Sequence, residues 1–86
     1  MKEFKFTYSD KMNVKNFLED AKKCENEVWF ETLDGDQLSL KSTLCQFILL
    51  SLSEHPEALE DAVVRGTGEH DYEILVKYKS DQNAGR

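Results

Sequence analysis

Ser42 is the residue of this chain best placed for regulated chemistry, because it stands directly before the apolar run of a predicted helix. A serine hydroxyl at that position accepts a hydrogen bond from a backbone N–H group that the first helical turn leaves unpaired. The same N–H groups and the positive end of the helix dipole favour a negative charge, including that of a phosphate. Ser42 therefore has two interpretations, a helix cap and a site of regulatory phosphorylation.

Acidic side chains are the other candidates for chemistry, and paired carboxylates can act as general acids and bases. Neighbouring pairs occur at Glu19-Asp20, at Glu60-Asp61, and at Glu69 with Asp71. A chain with 17 acidic residues among 86 produces such pairs by chance, so we predict that they lie on solvated surfaces. The sequence contains no glycine-rich phosphate loop, no Ser-His-Asp set and no metal-ligand spacing. We therefore expect no catalytic site, no metal and no cofactor.

The composition limits the class of protein. With 40% hydrophobic and 33% charged residues, the 86-residue chain is predicted to fold as one domain with a modest core. Its net charge of −6, without a cluster of Lys and Arg, argues against nucleic-acid binding. The longest apolar run, Phe47 to Leu50, is too short to span a bilayer. We expect a domain at residues 1–80 and a flexible C-terminal tail at residues 81–86.

The two cysteines indicate a reducing compartment. Cys24 and Cys45 fall within helical patterns and lack the spacing of metal ligands, so we predict reduced core thiols. The chain also shows no signal-peptide pattern. Together these features predict a cytoplasmic protein that does not bind membranes.

The first half of the chain alternates between strand and helix patterns. Phe4, Phe6 and Tyr8 alternate with polar residues, as in a half-buried strand. A helical stripe follows, capped by Asn13 or Asp10, and consists of Val14, Phe17, Leu18, Ala21 and Cys24. The remaining predicted elements are a strand at Val28 to Thr32, an Asp34-Gly35 hairpin turn, a strand at Gln37 to Lys41, and a helix at Thr43 to Leu52.

The last third is less regular. Asp61 to Arg65 is predicted to be a strand that follows a turn at Pro56 and ends at Gly66-Thr67-Gly68. The final segment fits two patterns, strand alternation of Tyr72, Ile74, Val76 and Tyr78 or a helix face of Tyr72, Leu75, Val76 and Lys79. Periodicity alone slightly favours the strand.

The order of elements resembles that of HPr, the histidine-containing phosphocarrier family of the bacterial sugar phosphotransferase system. The similar residues are Phe17 and Ala21, Val28-Trp29-Phe30-Glu31, Asp34-Gly35, and Leu40-Lys41-Ser42. The resemblance implies an α+β open-faced sandwich of order βαββαβα, with a four-stranded antiparallel sheet and three helices on one face. It also implies that Glu69 to Lys79 is a helix and that Ser42 matches the family's regulatory serine.

The chain departs from this family at the residues that carry phosphate. Asp10 occupies the position of the phosphorylated histidine, and Asp10-Lys11-Met12-Asn13 replaces the family's His-x-Arg-Pro. His55 and His70 fall in later turns and are predicted to be surface residues. Cys45 stands where the family usually has a glycine after the serine. We therefore expect no histidine phosphocarrier activity.

The second helix carries more apolar residues than one buried face needs. The excess is either covered by the loop that follows or exposed as a partner surface at Leu44, Phe47 and Ile48. We expect a non-catalytic, HPr-like (Crh-like) regulatory or adaptor protein that binds protein partners through this helix. Two alternatives stay open: a self-associating module, such as a homodimer, without phosphorylation, and a phosphocarrier that uses another nucleophile.

Overall fold

The computed structural model describes residues 2–80, so the predicted tail at 81–86 lies outside the described residues. The chain folds in the order β1 (Glu3–Thr7), α1 (Val14–Ala21), β2 (Trp29–Glu31), β3 (Gln37–Ser39), α2 (Thr43–Leu52), β4 (Val63–Thr67) and α3 (Glu69–Leu75). Short 3-10 helices lie at Pro56–Leu59 and Val76–Tyr78. The strands form one antiparallel four-stranded sheet in the order β1-β4-β2-β3.

The helices cover one face of this sheet, and aromatic side chains fill the space between the two layers. Phe17 of α1 lies 5.9 Å from Phe30 of β2, between ring centroids. Tyr72 of α3 packs edge-on against Phe4 of β1 at 5.4 Å. Such edge-to-face pairs add to the stability that burial of the rings provides. The predicted α+β class is confirmed, and the architecture is compatible with an HPr-like open-faced sandwich.

The opposite face of the sheet carries charged and polar side chains. Arg65 Nη2 lies 2.8 Å from Glu31 Oε2, and the Arg65 guanidinium lies 5.8 Å from the centroid of the Trp29 ring. These contacts join β4 to β2 across the open face.

One prediction for the first helix was wrong in detail. The helix ends at Ala21, so Cys24 lies beyond it, although Cys24 is buried as predicted. Burial raises the pKa of the Cys24 thiol to about 11, which keeps it in the less reactive thiol form. Cys45 is only partly buried, and both cysteines are free. Of the two candidate caps, Asn13 is the one used, since its Oδ1 accepts the Asn16 N–H at 3.1 Å.

The predicted strand at Asp61 to Arg65 was displaced by two residues. Asp61 has a φ of 59° and belongs to the preceding turn, whereas Gly66 and Thr67 continue β4 and only Gly68 ends it. Gly66 remains in the strand because it pairs with Phe4 and leaves room for that ring. A Cβ on Gly66 would lie 2.5 Å from Phe4 Cζ.

The ambiguous final segment is helical, as the family resemblance implied and against the strand pattern. It forms α3 and the 3-10 helix at Val76–Tyr78. Lys79 departs from the expected helix, because it pairs with Tyr8 in an isolated antiparallel bridge. The helical conformation places both Leu75 and Tyr78 in the core.

Candidate functional site

Ser42 caps the N-terminus of α2. Its φ and ψ of −88° and 123° lie outside the helical region, and its Oγ accepts the Cys45 N–H at 3.3 Å. The first turn of α2 contains no acidic side chain, so no carboxylate there would repel an added phosphate. The Lys41 side chain points elsewhere, because its Nζ donates to the Cys24 carbonyl at 3.2 Å.

One face of α2 exposes large apolar side chains. Leu44 is 69% exposed, Phe47 63% and Ile48 39%, and we call these three residues the docking patch. Leu49 is the fully buried residue of α2, while Leu50 and Leu52 pack against the core from partly exposed positions. The segment that follows α2 leaves the docking patch uncovered within residues 2–80. An exposed apolar patch of this kind is typical of a protein interaction surface.

Asp10 lies in the exposed turn between β1 and α1, three residues before the cap of α1. It lines a cleft of about 450 Å³ that brings three lysines together, and the cleft residues are Ser9, Asp10, Lys11, Met12, Lys77, Lys79 and Ser80. Asp10 also lines a neighbouring cleft of about 310 Å³ with Glu60 and Asp61. Across residues 2–80, however, His, Cys, Asp and Glu side chains form no group of three or more able to hold a metal ion. Asp10 therefore combines access with nearby positive charge, but it does not lie at a helix N-terminus, where unpaired N–H groups would favour a phosphoryl group.

The two histidines are surface residues, as predicted. The His55 and His70 side chains are 68% and 61% exposed. Each lies near one glutamate, at 3.9 Å from Glu57 and 4.0 Å from Glu25 respectively. Neither histidine lines the clefts around Asp10.

Asp20 was predicted to be solvated and is buried instead. Its carboxylate accepts hydrogen bonds from the Tyr78 hydroxyl at 2.5 Å, from Lys77 Nζ at 3.0 Å and from Lys23 Nζ at 3.2 Å. The Tyr78 hydrogen bond, aided by the two lysines, lowers the pKa of Asp20 to about 2 against the opposing effect of burial. A sequence signal existed, because Asp20 lies three residues after Phe17 and so falls close to the apolar stripe of α1.

Asp71 was also predicted to be solvated, and it is fully buried. Its two carboxylate oxygens accept the backbone N–H groups of Glu25 and Asn26, each at 2.9 Å. This arrangement ties the loop after α1 to α3 and satisfies two backbone donors. The sequence gives no local signal for it. Both oxygens of each carboxylate accept hydrogen bonds from groups that hold the fold together, so we assign Asp20 and Asp71 to stability and not to a reaction.

No protein-family model, curated protein or solved structure matches the chain. Within residues 2–80, none of the helices has the length and apolar character needed to cross a bilayer. The described residues form a small α+β open-faced sandwich with an exposed apolar helix face and a lysine-lined cleft.

Proposed function

We propose that this chain is a non-catalytic, HPr-like (Crh-like) regulatory or adaptor protein of the cytoplasm that binds a protein partner through the docking patch. The observation that carries the proposal is the exposure of Leu44, Phe47 and Ile48 on a single helix. Burial of one such side chain contributes about 1.5–3 kcal/mol, so a partner that covers all three gains useful affinity. Large apolar side chains grouped in this way are the usual anchors of helix-mediated interfaces.

Ser42 is the proposed control point for this interaction. A phosphate on its Oγ would face the unpaired N–H groups of the first turn of α2, where charge-assisted hydrogen bonds favour it. The helix would therefore persist, while a dianion would stand two residues before Leu44. Phosphorylation would change which partners can bury the docking patch without unfolding the domain.

The test is affinity capture from the native cytoplasm with the parent chain, Phe47→Asp, and the control Gln37→Asp. Gln37 is exposed on β3 and lies outside the docking patch, so its variant carries the same charge change. We expect a defined partner to be retained by the parent and the control and lost with Phe47→Asp, at unchanged circular dichroism. Ser42→Asp should alter the binding of that partner. Equal capture by all four proteins would contradict the proposal.

Self-association through the docking patch is the alternative use of the same surface. It predicts that sedimentation shows a dimer and that Phe47→Asp dissociates this dimer. Ser42→Asp should weaken the dimer only through the repulsion of the added negative charges. A monomer at high concentration that still captures its partner would exclude this alternative.

Phosphate carriage on Asp10 is a second candidate, favoured by the three lysines of its cleft. Incubation with the phosphoenolpyruvate-dependent enzyme of the sugar phosphotransferase system and labelled phosphoenolpyruvate distinguishes the two functions. We expect no label on the adaptor. A hydroxylamine-sensitive label that Asp10→Asn abolishes would replace the adaptor function with an acyl-phosphate carrier, whereas stable label on a histidine would indicate a rewired carrier.

A further inference from the structure

Strand β1 lies at one edge of the sheet and pairs on one side only with β4. The hydrogen bonds at the two ends of β1 show which of its N–H and C=O groups point towards β4. The Lys2 carbonyl accepts the Gly68 N–H at 2.7 Å, and the Tyr8 N–H donates to the Ala62 carbonyl at 2.8 Å. Since hydrogen-bonded residues alternate along an antiparallel strand, the even-numbered residues of β1 face β4. The N–H and C=O groups of the odd-numbered residues therefore point away from the sheet.

Part of this outer edge is already in use. The Ser80 N–H donates to the Thr7 carbonyl at 2.7 Å, and the Ser9 N–H donates to the Tyr78 carbonyl at 2.8 Å. No strand within residues 2–80 pairs with the outward backbone groups of Glu3 and Lys5. An edge with unpaired donors and acceptors is a template for another strand.

We propose that a second copy of this chain pairs antiparallel with that edge, with Glu3 of each copy opposite Lys5 of the other. The two-fold axis then passes beside Phe4. In this register both Glu3–Lys5 pairs exchange backbone hydrogen bonds, which gives four in total, and opposite charges face each other across the strands. The two sheets join into one continuous sheet.

The charges select this register over its neighbours. A shift of one copy by two residues places Lys5 opposite Lys5 or Glu3 opposite Glu3, and like charges directly opposite are destabilising. The Lys5-centred register also needs the Thr7 carbonyl, which Ser80 occupies. A shift by an odd number of residues would place the odd-numbered residues of one copy opposite even-numbered residues of the other. The backbone groups of those even-numbered residues point towards β4, so the hydrogen bonds between the copies could not form.

Phe4 supplies the apolar part of the contact. In the proposed register it lies opposite Phe4 of the second copy as a non-hydrogen-bonded pair, for which Cα atoms approach to about 4.5 Å. Its ring is partly exposed on the helix side, lies over Gly66 and packs against Tyr72. A cavity of about 390 Å³ lined in part by Phe4 and Tyr72 adjoins this edge and gives the rings room to adjust.

The test is a charge exchange across the two-fold axis, read by sedimentation equilibrium. We expect the parent to dimerise, and Glu3→Lys and Lys5→Glu each to raise the dissociation constant about tenfold or more, because both turn two attractive pairs repulsive. An equimolar mixture of these two variants should associate again, as each Lys then faces a Glu. Glu19→Lys and Lys15→Glu, exposed on α1, are matched controls that should associate like the parent.

Amide hydrogen exchange at Glu3 and Lys5 gives a second measurement. Protection of these two amides that rises with protein concentration, and that persists in Phe47→Asp, would support the edge-paired dimer. Protection independent of concentration, a parent that stays monomeric at millimolar concentration, or association abolished by Phe47→Asp but not by the charge variants would overturn it.

Discussion

The Tyr78→Phe substitution is expected to remove most of the stability that the buried Asp20 carboxylate provides. The Tyr78 hydroxyl is the closest donor to Asp20 and the main cause of its lowered pKa. The difference between the ordinary value of 3.8 and about 2 corresponds to about 2 kcal/mol, at roughly 1.36 kcal/mol per pKa unit. A single hydrogen bond to a charged group is worth a similar amount, about 1.5–3 kcal/mol.

The lowered pKa also fixes the pH range of the effect. Because the folded state holds Asp20 ionised, its contribution is complete above the unfolded pKa of 3.8 and is lost as the pH falls through about 2. In Tyr78→Phe the pKa of Asp20 should rise towards 3.8, and the acid-induced loss of stability in this range should flatten. We expect the free energy of unfolding at neutral pH to fall by about 1–2 kcal/mol, since the two lysines remain.

Urea unfolding followed by Trp29 fluorescence at stepwise pH measures the free energy of unfolding. The NMR titration of the Asp20 carboxyl carbon measures its pKa. Tyr72→Phe is the matched control, because the Tyr72 hydroxyl makes no hydrogen bond within residues 2–80. The reasoning is refuted if Tyr78→Phe leaves the Asp20 titration where it was, or if both variants lose the same stability with the same pH profile.

Substitutions of Ser42, Gly66 and Asp71 test individual contacts by the same urea unfolding. Ser42→Ala should lower the free energy of unfolding by about 1 kcal/mol through loss of the α2 cap, whereas Ser42→Asp should stay within about 1 kcal/mol of the parent. A much larger loss in both variants would contradict the assignment of Ser42 as a simple cap. Gly66→Ala should cost about 1–3 kcal/mol, because its new Cβ would meet the Phe4 ring, and Phe4→Leu should relieve part of that loss. Asp71→Ala should cost about 3 kcal/mol or more, since two backbone donors lose their acceptor, and Asp71→Asn should cost less because one oxygen remains.

The sequence by itself was sufficient where the determinants are local. The Asp34-Gly35 hairpin was predictable because Gly35 adopts a φ of 101° that few other residues tolerate. The Ser42 cap was predictable because its acceptor and donor are three residues apart. The α+β class follows from short-range periodicities, which β1 and α1 display clearly, whereas the helix at the end of the chain was implied only by the family resemblance.

Tertiary structure decided the features that depend on distant partners. Asp71 is buried because it accepts two N–H groups from residues 46 and 45 positions earlier, which no local pattern encodes. Residues 69–78 are helical against their alternation because the helix places Leu75 and Tyr78 in the shared core. Only the order of strands in the sheet shows that β1 lies at an edge. Only the packing of α2 against the sheet determines which of its apolar side chains remain exposed. Burial is a property of the assembled layers, so the sequence predicted the apolar helix but only the fold could select its exposed face.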